Sequence, residues 1–149
     1  MKGNKYVIND KYTEMIIESK IHGIIKVKID KEDIDGKYNS LININIDSVG
    51  YKDGRKVTFL DANTNTSLYE PMKTVIENNG LEVELDTDLK GTADSVVFDK
   101  VGIPAICIID ENVKEVIHTE NDVPELIDYE RLDKIVKSVY DFVSSYEFN

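Results

Sequence analysis

The sequence predicts an α/β layered fold, with a mixed, mostly parallel sheet and helices packed on it. Three observations predict this fold. Strand-like and helix-like segments alternate from residue 41 onward, residues 103–109 are apolar throughout, and 41% of the 149 residues are hydrophobic. Strands that alternate with helices are typical of parallel sheets, and an uninterrupted apolar strand is typical of a sheet's centre. We therefore expect a single domain, 1–149, with the run 103–109 as its central strand.

Residues 1–40 are rich in lysine and only weakly patterned. Asp10 is a suitable N-cap, and Glu14 would lie in the first turn that follows, so we predict a short helix over residues 11–20. The next segment, 23–29, alternates between apolar and lysine side chains in its second half, which predicts a half-exposed strand.

The clearer pattern begins at residue 41. Alternating isoleucine and asparagine side chains predict a strand over 41–47, and strands are also predicted over 57–60 and 81–85. Between the last two, Ser67 and Glu70 have the spacing of a capping box and Pro71 suits a first helical turn. We therefore predict a helix over 67–79, ended by Gly80.

Two further helices complete the predicted fold. A short one, capped by Asp94 or Ser95, precedes Gly102. The other begins after Asp128 and extends to residue 145, with apolar side chains at helical spacing. Its predicted buried stripe consists of Leu132, Ile135, Val136, Val139, Phe142 and Val143. We expect the helices 67–79 and 128–145 to pack on the sheet.

Composition excludes several classes of partner. The 29 acidic and 18 basic side chains give a net charge of −11, which opposes binding to nucleic acid and to anionic membranes. No apolar run has the length of about 18 residues that a membrane helix needs, and no signal peptide is recognisable, so we expect a cytoplasmic protein. Cys107 is the single cysteine and lies in an apolar run, where it is expected to be an inert packing residue.

Two polar residues follow predicted strands, where open α/β sheets place their sites. Asp47 directly follows the isoleucine-rich strand, and His118 follows the central strand. Taken singly, an aspartate at a strand end is usually a turn former, and a loop histidine is usually an ordinary surface residue.

Together with the segment between them, these residues resemble a known family. Residues 44–50 are similar to the strand-ending aspartate motif of the co-catalytic di-zinc aminopeptidases (clan MH), whose relatives include glutamate carboxypeptidases and glutaminyl cyclases. Residues 92–105 resemble the family segment Ser-Asp-His-x-x-Phe-x-x-x-Gly-Ile-Pro-Ala, and residues 118–122 match its His-Thr-x-x-Asp motif. The order of these motifs agrees from about residue 41 onward, over more than two thirds of the chain.

The resemblance implies a zinc peptidase with two zinc ions in each complete site. It assigns Asp47 to one zinc and His118 to the other, with Asp94, Thr119 and Asp122 beside the ligands or along the cleft. The family's three other ligands and its general-base glutamate have no counterpart in this sequence, and Ser95 stands where the family commonly has histidine. We therefore expect the C-terminal part of a zinc aminopeptidase, with two of five metal ligands, no catalytic residue of its own and no activity alone.

Two alternatives remain open from the sequence. One is a non-catalytic, peptidase-like binding or assembly module, and the other is an unrelated small α/β protein. The partners that we expect are a peptide substrate, if the site is completed, and no nucleic acid or membrane. Monomer and homodimer both remain open, because an uncovered strand edge favours pairing. If the resemblance is real, Asp47 and His118 should face one shallow acidic cleft.

Overall fold

The structure, a computed structural model, describes residues 5–8, 12–19, 23–30, 41–60, 66–86, 93–100 and 102–147. Its first three strands are β1 (Lys5–Ile8), β2 (Tyr12–Ser19) and β3 (Gly23–Asp30). They form an antiparallel three-stranded sheet in the order β1-β2-β3. The predicted strand 23–29 is thereby confirmed.

The helix predicted over residues 11–20 is wrong, because Tyr12–Ser19 is a strand. It pairs along its whole length with β3, from Tyr12 opposite Asp30 to Ser19 opposite Gly23. Its sequence is rich in β-branched and aromatic side chains, which favour an extended backbone. A cap residue and an acidic first turn are weak local signals, and pairing with two neighbouring strands outweighs them.

The second sheet contains β4 (Asn43–Ile46), β5 (Lys56–Leu60), β6 (Glu82–Asp86) and β7 (Ala105–Asp110). Their order is β4-β7-β5-β6. The pairs β4–β7 and β5–β6 are parallel, whereas β5 and β7 are antiparallel. The predicted mixed, mostly parallel sheet is therefore confirmed. The strand β7, which the apolar run forms, lies in the interior of this sheet, and all six of its residues are buried.

Among the described residues, three helices accompany this sheet: α1 (Thr66–Asn78), α2 (Ser95–Lys100) and α3 (Tyr129–Ser145). Short 3-10 turns occupy Val113–Glu115 and Pro124–Leu126. The predicted stop signals are confirmed, because Gly80 and Gly102 follow α1 and α2 with φ angles of +80° and +81°. The predicted cap of α3 is also confirmed, since Asp128 Oδ1 accepts a hydrogen bond of 3.0 Å from the Arg131 N–H.

The two faces of the sheet bury separate apolar clusters. On one face, α1 and α3 cover the sheet, and this cluster includes Phe59, Met72, Ile108, Ile135 and Phe142. On the other face a smaller cluster contains Leu60, Ala93, Cys107, Ile109 and Val113. The two long helices thus pack on the sheet as predicted, and Cys107 is fully buried.

The predicted apolar stripe of α3 needs one correction. Ile135 and Phe142 are buried, but Val136 and Val143 are 57% and 52% exposed. The buried side of α3 instead includes Arg131 and Ser138, so the helix is rotated relative to the predicted stripe. The described helices include none with the length and apolarity needed to cross a bilayer.

Candidate functional site

Asp47 and His118 both follow the carboxyl ends of strands that pair in parallel. β4 and β7 are neighbours with Ile46 opposite Ile108, and the Asp47 N–H donates to the Ile108 carbonyl at 3.0 Å. His118 lies beyond the end of β7, after the 3-10 turn at Val113. Parallel neighbours present their carboxyl ends at one edge of a sheet, so the two residues follow the same edge. Both side chains are exposed.

The backbone around both candidate ligands is left-handed, which is uncommon for residues other than glycine. Ser48, directly after Asp47, has a φ of +51°, and His118 itself has a φ of +62°. Such conformations cost of the order of 1–3 kcal/mol and concentrate at ligand sites and switch regions. The local fold therefore holds His118, and the residue directly after Asp47, in a backbone conformation that residues other than glycine seldom adopt.

The three residues predicted beside the ligands lie in loops or at a helix start, and all are exposed. Asp94 directly precedes α2, and its neighbour Ala93 belongs to the buried cluster that contains Ile109 at the end of β7. The Thr119 hydroxyl donates to the Val116 carbonyl at 2.6 Å and accepts from the Asn121 N–H at 3.1 Å. The Asp122 N–H donates to the Thr119 carbonyl at 3.3 Å. Thr119 thus organises the turn that follows His118.

A buried aspartate lies at the carboxyl end of β7, at the same edge of the sheet. Asp110, the last residue of β7, is 2% exposed, and its Oδ1 accepts from Arg131 Nε at 2.8 Å and from Arg131 Nη2. Its Oδ2 accepts from the N–H groups of Gly50 and Tyr51 at 2.6 and 2.8 Å. The carboxylate is therefore fully hydrogen-bonded, as a buried charge requires.

The segment after Asp47 is also paired with the segment after His118. The Asp128 N–H donates to the Gly50 carbonyl at 2.7 Å, and the Lys52 N–H donates to the Leu126 carbonyl at 2.9 Å. Tyr51 forms an antiparallel bridge with Ile127. Partial burial, together with the negative charge of Asp53, raises the pKa of the Tyr51 hydroxyl.

The chemistry of Asp47 and His118 fits part of a zinc site. A carboxylate and an imidazole are ligand types that zinc accepts, but catalytic zinc has three protein ligands and structural zinc four. Within the described ranges, no three His, Cys, Asp or Glu side chains are grouped to hold a metal ion.

A cavity of about 120 Å³ opens beside residues 109–114, Thr58 and Glu84, and neither candidate ligand lines it.

Comparison with known proteins decides the family. A sequence model of Peptidase family M28 matches residues 27–143. The chain belongs to Peptidase family M28. This match covers both candidate ligands and the whole four-stranded sheet, so a peptidase-like domain is established and the predicted zinc-aminopeptidase resemblance is confirmed.

A solved structure supports the same assignment for the M28 fold. The chain is similar to the crystal structure of BSAP, a zinc aminopeptidase from Bacillus subtilis, with 28% sequence identity and a TM-score of 0.53. The match covers 68% of this chain but 28% of that chain, so this M28 chain spans less than a third of the length of BSAP. Among proteins with curated functions, none is significantly similar in sequence.

The buried pair of Asp110 and Arg131 is not among the features predicted from the sequence. One signal was available, because Arg131 lies four positions before Ile135 and therefore on the same side of α3. An acidic residue directly after the apolar run 103–109 was the other signal. Neither signal indicates that the two side chains meet, since their pairing depends on how α3 packs against the sheet.

Proposed function

We propose that this chain is the C-terminal part of a zinc aminopeptidase domain and contributes two of its five metal ligands. The observation that supports this is the position of Asp47 and His118 after the carboxyl ends of the parallel neighbours β4 and β7. Asp47 would hold one zinc and His118 the other. When bound, such a metal pair polarises the peptide carbonyl and lowers the pKa of a bound water.

We further propose that the isolated chain does not hydrolyse peptides. A general base must come within hydrogen-bond reach of the attacking water. The glutamate that the family uses for this step has no counterpart among the motifs that this sequence shares with it. The full reaction, removal of N-terminal residues from peptides, would require the remaining ligands and this base from elsewhere.

The alternative is a non-catalytic module that retains the M28 fold for assembly. One observation supports it, namely an exposed apolar side of α3. Tyr129 and Tyr140 are 69% and 70% exposed, and Val136 and Val143 lie on the same side of the helix. A surface of this kind suits a protein partner better than it suits solvent.

Zinc titration and a peptidase assay separate these functions. We expect weak zinc binding by calorimetry that is lost in both D47A and H118A, and no hydrolysis of an aminoacyl-nitroanilide by the wild type. D53A, which removes an exposed aspartate near Asp47, is the matched control and should bind zinc as the wild type does. Zinc binding that is unchanged in both D47A and H118A would overturn the ligand assignment. If the wild type binds no zinc, the assembly module is favoured instead. Hydrolysis that a chelator abolishes would contradict the proposed inactivity.

A further inference from the structure

One buried carboxylate connects the two loops that carry the candidate ligands. We define the Asp47 loop as residues 47–52 and the His118 loop as residues 111–128. Oδ2 of Asp110 accepts hydrogen bonds from two amides of the Asp47 loop, those of Gly50 and Tyr51. Oδ1 accepts from the guanidinium of Arg131. The two oxygens therefore serve different parts of the chain.

The Asp110–Arg131 pair also closes the base of the His118 loop. Asp110 directly precedes that loop, and Arg131 lies in the first turn of α3, which directly follows it. The ion pair is buried, with side chains that are 0% and 8% exposed. The start of α3 is fixed in turn by the Asp128 cap, which accepts from the Arg131 N–H. Both ends of the His118 loop are thus held at the same carboxylate.

The surrounding backbone leaves little room for Asp110 to move. Gly54 is buried beside it, and a Cβ atom on Gly54 would lie 3.1 Å from Asp110 Cβ and 3.1 Å from the Tyr51 carbonyl oxygen. These contacts are tight even for well-packed side chains, so the absence of a side chain at Gly54 allows the close approach. The carboxylate is therefore held by packing as well as by hydrogen bonds.

Energetic considerations favour a geometric role for this pair. Replacement of a buried ion pair by apolar side chains of similar volume is often neutral or stabilising. An apolar pair cannot, however, accept the hydrogen bonds from the amides of Gly50 and Tyr51. The particular contribution of Asp110 is therefore the placement of the Asp47 loop relative to the His118 loop.

We propose that Asp110 is a positioning residue for the metal site, which sets the separation of Asp47 and His118 through the loops that it joins. This inference rests on the proposed function, because it concerns the distance between two residues that are proposed as metal ligands. Groups that orient metal ligands change metal affinity by roughly 10–100-fold when they are removed. Asp110 does not contact the metal or substrate and acts only through the two loops.

The test compares D110N, D110L/R131M and the exposed-pair control K73M by amide hydrogen exchange. D110N leaves Arg131 buried without its charged partner and is expected to lose global stability, so the apolar double variant is the informative one. We expect it to fold, with amide exchange at Gly50 and Tyr51 at least roughly tenfold faster and with protection of the β5 and β7 amides unchanged. Equal loss of protection in the loops and the strands would show a merely structural role and overturn the proposal. Unchanged exchange at Gly50 and Tyr51 would also overturn it.

Zinc affinity is the second readout, and it separates this proposal from the proposed function. If the wild type binds zinc, the folded D110L/R131M variant should bind it roughly 10–100-fold more weakly, and K73M should bind it normally. Equal zinc affinity in the wild type and the double variant would overturn the positioning role. If the wild type binds no zinc, the proposed function fails, and the positioning of the metal site fails with it. The exchange data would then report only whether Asp110 fixes the two loops.

Discussion

The guanidinium of Arg131 lies against the carboxylate of Asp110, 21 positions earlier in the chain, with Nε 2.8 Å from Oδ1. The same carboxylate accepts two backbone hydrogen bonds from the segment that follows Asp47. The end of β7, the start of α3 and the loop after β4 are therefore held at one buried point. The proposed positioning of the two candidate ligands depends on this contact.

Substitution of Asp110 by asparagine should be strongly destabilising. Removal of one partner from a buried ion pair leaves an uncompensated charge and typically costs about 3–5 kcal/mol. We expect a loss of this size in the free energy of unfolding, measured by urea denaturation. K73M, which breaks the more exposed Lys73–Glu77 pair, should cost less than about 1 kcal/mol. If D110N and K73M lose similar amounts of unfolding free energy, the buried Asp110–Arg131 pair contributes no more to stability than the exposed pair does.

Adjacent residues of α3 should respond very differently to truncation. Ile135 is fully buried, whereas Val136 is 57% exposed. Ile135→Ala should lower the free energy of unfolding by about 2–5 kcal/mol because it leaves a cavity. Val136→Ala should change it by no more than about 0.5 kcal/mol. A larger loss for Val136 in thermal or urea unfolding would mean that the exposed side of α3 is covered in solution.

Acid should remove a contribution made by Asp141. The hydrogen bond from Lys137, and then that from Asn79, lower the pKa of the Asp141 carboxyl below its ordinary value of 3.8. Because the folded pKa is the lower one, this stabilisation is complete above the ordinary value and is lost as the pH falls through the folded pKa. Urea unfolding should show D141N less stable than the wild type at neutral pH, with the two converging in acid.

D133N is the control for that series, because Asp133 is an exposed aspartate of the same helix. The comparison separates the loss of the hydrogen bonds from Lys137 and Asn79 from the mere loss of one negative charge on the helix. A D141N deficit that stays constant from neutral pH into acid would contradict the assigned cause.

The outer edge of β4 should promote self-association. Among the described strands, β4 pairs with β7 alone, and Ile46 on β4 is 44% exposed. We predict a dimer in sedimentation velocity at high protein concentration, favoured by salt because the chain carries a net charge of −11. Ile46→Lys should weaken it, since a charge on an edge strand opposes pairing. A wild type that stays monomeric at all concentrations and salt levels would exclude the homodimer.

Much of the fold follows from local sequence signals. The apolar run 103–109 indicates a strand buried on both faces, and Gly80 and Gly102 end helices because glycine tolerates the positive φ angles found there. Asp128 caps α3 because its short side chain accepts an N–H bond from the first turn. Each of these features depends on a few adjacent residues.

The features that the sequence did not predict depend on distant parts of the chain. Tyr12–Ser19 is a strand because β1 and β3 pair with it, and the local signals of residues 11–20 point both ways, to a helix through Asp10 and to a strand through the β-branched side chains. The helix α3 is rotated so that Arg131 is buried and Val136 is exposed, and Arg131 meets Asp110 of β7, a residue that lies outside the local pattern of the helix. At the candidate site, the sequence indicated Asp47 and His118 through motifs, but the contacts that hold their loops come from tertiary packing.

The most direct test of a metal site shared by Asp47 and His118 is anomalous diffraction at the zinc edge from crystals grown with millimolar zinc. We predict zinc density about 2.0–2.2 Å from an Asp47 carboxylate oxygen and from a His118 ring nitrogen, on one ion or on two about 3.5–4 Å apart. The opposite result is zinc bound elsewhere, with the Asp47 and His118 side chains more than about 12 Å apart, too far for such a metal pair to bridge. That result would contradict the shared metal site and leave only the M28 fold.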